Sequence, residues 1–441
     1  MKYEKYKDIN AGWINKIPSH WYTIPIKFSV KNPVTSFIDG DWIESKYIES
    51  DGIRYLTTGN VGALEYKEQG SGFISEETFS KLNCTEVFPG DLLISRLNEP
   101  IARTCIVPDL GYRIVVAVDN VIYRPETSLY DKRFIMYQMN CSPYSENASF
   151  IARGSTMPRI SRTMLGAIKL SIPPLYEQRV IATYLDEKCG EINRAIDVQK
   201  KKIALLDELK QTIITDAVTK GLDSNVPMKD SGVEWIGHVP QHWEVMRLRF
   251  VCEFRNGYTP SKANPDFWEE GTIPWYRMED IREKGRFLNE AKQYITKEAV
   301  KGNGLFEAGS FILATTATIG EHAVLIVDSL ANQRFTNLKI RKSLIQKLAR
   351  DFFFYYLFVI DDYCKSTTRV ATFPAVNMDD LKNFGVAFPS IQEQQSIVSH
   401  IEKKVTKIDS RITKANRRIE LLEELKQSII TEAVTGKIKV C

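Results

Sequence analysis

Cysteine is scarce and scattered. The seven in 441 residues, at 84, 105, 141, 189, 252, 364 and 441, include no C-x-x-C pair, so neither a disulfide framework nor a thiolate zinc site is indicated and a reducing, cytoplasmic setting is expected. Long apolar runs are missing as well. The longest, Phe352 to Ile360, lies between Asp351 and Asp361, far short of the roughly 20 residues that span a bilayer, and it reads as a buried helix. MKYEKYKDIN at the start lacks the apolar core of an export signal; neither export nor a membrane partner is expected. Charge of one sign is barely in excess: 59 Lys and Arg stand against 55 Asp and Glu, a balance too even to announce nucleic-acid binding by itself.

The loops and clusters of familiar catalytic sites are also lacking. No G-x-x-x-x-G-K-[ST] or G-x-G-x-x-G occurs, which leaves no cradle for a nucleotide or a methyl donor. Gly436-Lys437 has no upstream glycine or following hydroxyl and reads as a helix stop. The five histidines (20, 238, 242, 322, 400) include no H-E-x-x-H pair, so no metal site is assigned. Asn140-Cys-Ser-Pro-Tyr144 departs from the N-P-P-Y of amino-methyltransferases by the intervening Cys-Ser and one missing Pro, and it reads as a loop after a helix. E-x-K triplets such as Glu44-Ser-Lys46 arise by chance in a chain that is 26% charged. No catalytic residue is assigned.

What is present is a folded chain, 43% hydrophobic and 11% aromatic, of a length that predicts about two to four domains. An internal repeat organises it. Trp13-Ile14, Pro18, His20-Trp21 and Lys7-Asp8 return 222 residues later as Trp235-Ile236, Pro240, His242-Trp243 and Lys229-Asp230. PPLYEQ (173–178) returns as PSIQEQ (389–394), and IALLDELKQTIITDAVT (203–219) as IELLEELKQSIITEAVT (419–435), with 13 of 17 positions identical. The order is A-B-A′-B′.

Each B block is a helix. Leu185, Ile192, Leu206 and Ile213 recur in seven-residue steps with Gln199 interrupting, and Ile401, Ile408, Ala415, Leu422 and Ile429 repeat the stripe. Prolines precede both helices, and Gly221 and Gly436 stop them. Helices of about 40 residues are on the order of 60 Å long, too long for one globular core, so they must bury their stripes on each other. Eight acidic and eight basic residues between Glu177 and Lys220 read as the solvated faces of a coiled coil.

The A blocks are α+β globules. Residues 53–57, 91–95, 115–118 and 120–123 read as strands in the first, and 273–277, 310–314 and 323–327 in the second, with helices near 131–140 and 344–360. Their sequences have drifted apart while the helices have not, as expected of two different readers on one symmetric frame. His20 and His242 are expected to pack with Trp21 and Trp243 against the helices. Trp13, Trp275 and Tyr276 are expected in cores.

VPMKDSGVEWIGHVPQHWEV (226–245), LLDELKQTIITDAVTKGL and LLEELKQSIITEAVTGKI resemble the specificity subunits of type I restriction-modification systems, and the resemblance extends over the whole A-B-A′-B′ order. INAGWINKIPSHW is a looser match than SGVEWIGHVPQHW, which blurs the first boundary. The resemblance implies an α+β chain with a pseudo-twofold internal duplication. Two target-recognition domains would be held apart by two helices in an antiparallel coiled coil. The corresponding division is a lead segment 1–21, recognition domain 22–172, spacer helix 173–220, linker 221–243, recognition domain 244–388, spacer helix 389–437 and tail 438–441.

The resemblance further implies that each globule reads half of a split duplex-DNA site. This chain would perform no catalysis and bind no cofactor. Two methyltransferase subunits would dock on the frame and two motor-nuclease subunits would join them, with S-adenosylmethionine, ATP and Mg2+ on those partners. Under it, the acid-free window from 147 to 176 supplies Arg153, Ser155, Thr156 and Arg159 as DNA-contact candidates, and its counterpart supplies Lys365, Thr368, Arg369 and Thr372. Ser95, Arg96 and Asn98 after one strand, and Thr315, Thr316 and Thr318 after its counterpart, complete the set. Two other classes remain open on residues alone: a single-chain enzyme with a cryptic nuclease or methyltransferase site, and a tandem scaffold for peptides or glycans.

Overall fold

The computed structural model describes residues 2–70, 72–154, 156–368 and 375–440. Backbone contacts divide the chain into two compact units, Met1–Lys200 with Asn416–Cys441, and Lys201–Ala415. Each unit therefore combines one globule with the beginning of one long helix and the end of the other, and the boundary cuts both helices.

In the first unit a hairpin (Tyr6–Asp8 with Lys16–Pro18) leads into strand Tyr22–Pro25, which pairs antiparallel with Lys169–Ile172 just before the first long helix. The central sheet is antiparallel in the order Phe37–Asp39, Asn120–Tyr123, Leu92–Ser95, Thr104–Ile106. Its strands are apolar along their middles, with Asp39, Asn120, Ser95 and Thr104 at their ends, because both faces are covered. Leu92, Ile94, Val121 and Tyr123 face one core, and Leu93, Cys105 and Ile122 face another, the alternation a pleated strand imposes. A smaller sheet orders Phe73–Ile74, Ile53–Leu56 and Ile114–Val116.

The second unit repeats the plan. Hairpin Met228–Asp230 with His238–Pro240 leads to Glu244–Arg247, which pairs with Gly385–Phe388. A five-stranded sheet runs Cys252–Asn256, Phe335–Ile340, Phe311–Ala314, His322–Leu325, Phe287–Leu288. Phe311, Leu313 and Val324 pack on one side of it, and Ile312, Ala314 and Ala323 on the other. The helix read near 344–360 spans Arg350–Thr367. The one near 131–140 spans Lys132–Met139, and it is followed at once by a second, Ser142–Ile151. The segment read as a loop is thus helical from Ser142, with Pro143 in the first turn where its missing N–H costs nothing.

The long helices are Leu175–Lys220 and Ile391–Val434. In the first unit Lys426 bonds Asn193 at 2.9 Å, and in the second Lys210 pairs with Asp409 at 2.7 Å; in each, the late part of one helix meets the early part of the other, an antiparallel pairing. Leu185, Ile192, Leu206, Ile401 and Ile408 are buried as the stripe predicts. At the C-terminal turns the buried face shifts by one residue. Ile213 and Ile429 are half-buried, while Ile214 and Ile430 are enclosed, because these turns pack on a globule. Leu422 is half-buried too. Ile430, Ala433 and Val434 join the core of Trp21, Phe134 and Leu185, and Ile214, Ala217 and Val218 join that of Trp243 and Phe352.

One repeated knot fixes each helix start. Glu177 accepts from Trp21 Nε1 at 3.1 Å and pairs with His20 at 2.8 Å; Glu393 does the same with Trp243 and His242 at the same distances. Gln178 bridges the Asp131 N–H (2.8 Å) to the carbonyls of Leu129 (3.0 Å) and Pro173 (2.9 Å), and Gln394 bridges the Ala349 N–H to those of Lys347 and Pro389. The repeated Glu-Gln pair is thereby explained by structure alone. Gly436, at φ 69°, ends the second helix where a Cβ would lie 2.5 Å from Pro18.

Candidate functional site

In each globule the described parts of the two windows lie side by side. In the first unit, strand Leu92–Ser95 runs into a loop whose Asn98 is left-handed (φ 61°), and Leu97 pairs with Arg159. In the second, Ala317 is left-handed at the equivalent place (φ 64°), and Thr316 pairs with Ala375. Arg96 and Thr315 are structural equivalents. Their N–H groups donate to Asp119 and Arg334, each at 2.9 Å, and their carbonyls accept from Ile160 at 3.0 Å and Val376 at 2.9 Å.

In the first unit, Arg153 and Arg159 exchange both backbone bonds (3.0 and 2.8 Å) and close a tight hairpin. Gly154 is required there: its φ is 107°, and a Cβ would stand 2.8 Å from the Met157 carbonyl oxygen. Arg153, Thr156 and Arg159 are exposed, as is Asn98; Ser155 lies outside the described residues. Arg159 pairs with Asp119 at 2.7 Å and Arg162 with Asp39 at 3.4 Å. Ser95 and Arg96 lie below the surface, which corrects the expectation of loop side chains. The Ser95 hydroxyl donates to the Leu97 carbonyl. Arg96 is 5% exposed, and its guanidinium donates to the Val118 and Ile160 carbonyls and pairs with Asp39 at 3.1 Å. Burial lowers its pKa from the ordinary arginine value, and Asp39 opposes the shift. Arg96, Arg153, Arg159, Ser161 and Met164 line a concave groove of about 530 Å³.

In the second unit, Thr315 is likewise buried, sharing a hydrogen bond with Thr336 at 3.0 Å. Thr316 and Thr318 are half-buried, and Lys365 is exposed. Lys365 crosses the loop at Gly320, where a Cβ would meet its Cγ and Cε at 2.8 Å. The Thr368 hydroxyl donates to the Cys364 carbonyl at 2.6 Å and finishes the helix. Arg369 and Thr372 lie outside the described residues. Beneath the loop His322 is fully buried. Its Nδ1 lies 2.6 Å from Asp361 and 3.1 Å from Arg286, while its Nε2 has no partner. Burial pulls the imidazole pKa down.

Asn140 is also internal, exchanging hydrogen bonds with the backbone of Thr104 and donating to Met136. Trp13, Trp275 and Tyr276 are buried as expected. Among the described residues no group of three or more His, Cys, Asp or Glu is placed to hold a metal, and no helix is long and apolar enough to cross a membrane.

A second surface went unread in the sequence. Leu205 and Leu209 are 65% and 45% exposed, and Leu421 and Leu425 are each 48% exposed. They stand at equivalent positions in the most similar stretch of the repeat, off the buried stripe and four residues apart, so each pair forms one apolar patch on a charged helix. Their identity in both copies was the available signal.

Residues 34–205 and 240–423 match the family model described as the type I restriction modification DNA specificity domain. A 167-residue stretch is 43% identical to the type I restriction enzyme EcoprrI specificity subunit of Escherichia coli, spanning 36% of this chain and 42% of that one. The putative MjaX specificity subunit of Methanocaldococcus jannaschii is 25% identical across 100% of this chain and 99% of its own length. A chain in a solved structure concerned with complex assembly and conformational transition of the type I R-M system shares the fold. The TM-score is 0.66 at 15% identity, over 96% of this chain and 100% of that one.

Proposed function

The chain belongs to the type I restriction-modification specificity family, and from that premise we propose that its two globules each read one half of a bipartite, asymmetric duplex-DNA site. The observation that carries this reading is the pair of equivalent loops. They are held by the same backbone bonds, yet the exposed residue at the left-handed turn is Asn98 in one unit and Ala317 in the other. One frame with different side chains at matching places is what two readers of different half-sites require.

The paired helices set the unread gap, since a rigid α-helical spacer converts residues into base pairs. The repeated leucine patches dock two methyltransferase subunits, one for each copy of the patch, because apolar residues retained on an exposed helix face are explained by a protein partner. Two motor-nuclease subunits complete the cleaving complex. This chain performs no catalysis; S-adenosylmethionine, ATP and Mg2+ belong to the partners, and the assembly works in the cytoplasm.

The test is selection of bound duplexes from a randomised library by the chain co-expressed with the methyltransferase of its own locus. A two-part asymmetric motif with a fixed gap is expected. A single continuous motif would break the two-reader model, and no enrichment by a folded, pure complex would refute DNA reading. Methylation by the chain alone, given a methyl donor, would instead identify an enzyme.

A further inference from the structure

We propose that the groove beneath the 153–159 hairpin seats one phosphodiester of the DNA backbone, clamped by Arg153 and Arg159 over the fixed charge of Arg96. This inference rests on the DNA reading above and adds the chemistry of one subsite. Four guanidinium groups, those of Arg96, Arg153, Arg159 and Arg162, converge here against two carboxylates. Asp39 is shared between Arg96 and Arg162, and Asp119 is engaged by Arg159. A positive excess remains on the groove.

The floor is built rather than incidental. Arg96 lines the groove while more than nine-tenths buried, its Nε has no hydrogen-bond partner, and its terminal nitrogens are tied to main-chain carbonyls and Asp39. Asp39 compensates this buried charge only in part, because it also pairs with Arg162, and an anion above the floor would balance the remainder. Ser161 adds a hydroxyl whose oxygen already accepts from the Met164 N–H, which leaves its proton to donate.

The charge excess, rather than the donor pattern, favours phosphate over a base. Guanidinium groups have no acceptor, and guanine O6 and N7 would accept from them as readily, but a base carries no charge to match the groove. A phosphodiester offers acceptors only, carries the matching charge, and forms the shorter, stronger charge-assisted bonds. In the second unit Thr315 occupies the place of Arg96, so this floor belongs to the first half-site.

The experiment uses the assembled complex and the duplex obtained by selection, with single backbone phosphates replaced by uncharged methylphosphonates. In the half-site read by the first unit, one position is expected to lose about tenfold in affinity. That penalty should disappear in Arg153→Ala and Arg159→Ala, whose slopes of log K against log salt should fall by about 1. Arg159→Lys keeps the charge beside Asp119 and should retain most of the penalty, which separates loss of the contact from loosening of the hairpin. A penalty that persists unchanged in both alanine variants overturns the seat. So does relaxed preference at one base pair with an unchanged salt slope, which marks a base contact instead. Inorganic phosphate at matched ionic strength should leave wild-type affinity unchanged; displacement of the duplex by it would assign the groove to free phosphate. Failure of the underlying DNA reading is distinguishable, since the selection then yields no duplex.

Discussion

Replacing Gln178 with alanine tests whether the repeated Glu-Gln pair is a structural lock. Gln178 is 1% exposed and satisfies one N–H and two carbonyls on two separate stretches of chain. A buried polar group left without its partner costs about 1–3 kcal/mol. The Asp131 N–H loses its acceptor entirely, whereas each carbonyl keeps a second lone pair, so the loss works out at about 3 kcal/mol. The better helix propensity of alanine offsets only a few tenths of this. At about 2–4 °C per kcal/mol for a unit of this size, the first unit should melt roughly 6–12 °C lower. Hydrogen exchange should localise the change, with protection of the Lys132–Met139 helix falling about 100-fold, as 1.4 kcal/mol per factor of ten requires. Gln394→Ala should act equally on the Arg350–Thr367 helix. Gln395 is exposed on the same helix turn, and Gln395→Ala should change neither quantity measurably. A Gln178→Ala protein that melts within about 2 °C of wild type would refute the lock.

The other expectations concern partner docking, pH and the gap. Leu205→Asp with Leu421→Asp should abolish co-purification of the methyltransferase while circular dichroism and melting stay near wild type; retained co-purification would remove the leucine patches from the interface. His322 is held neutral by burial, so its folded pKa lies below the unfolded value of 6.5. Its contribution is therefore complete above pH 6.5 and is lost as the pH falls below that value, by up to about 1.4 kcal/mol per pH unit. Compared with wild type, His322→Gln should show a flatter loss of stability in acid, and an unchanged profile would discount His322. Inserting one heptad into both long helices should lengthen the preferred gap in the selected duplexes, and an unaltered gap would defeat the ruler.

The long helices were legible because the signal is periodic and doubled: a seven-residue stripe, prolines before it, glycines after it, and a second copy to compare. The central strands were legible as apolar runs. The floor of the groove was not. Arg96 follows a strand and precedes Asn98, the pattern of a solvated loop, and the distant Asp39 with the Val118 and Ile160 carbonyls makes its burial tolerable. Ser95 and Thr315 were misjudged for the same reason, since a hydroxyl that satisfies a neighbouring group looks identical in sequence to one that faces solvent. Helix Ser142–Ile151 was hidden by its Ser, Pro and Asn content, because its buried apolar side is only Tyr144 and Ala148, with Ile151 partly buried at its end. The one-residue shift from Ile213 to Ile214 came from tertiary docking that no heptad count anticipates.

The core of the first unit has a consequence for synthesis. Its apolar surface around Trp21, Phe134 and Leu185 is closed by Ile430, Ala433 and Val434, so the first of the two globules to be made is completed by residues translated only after the second. At about 5–20 residues per second, the intervening stretch of roughly 230 residues takes on the order of 10–50 s to translate. Throughout that interval the nascent globule carries an open apolar seam, a natural point of engagement for chaperones. Its yield in the cell should therefore depend on elongation rate as much as on the stability of the finished fold.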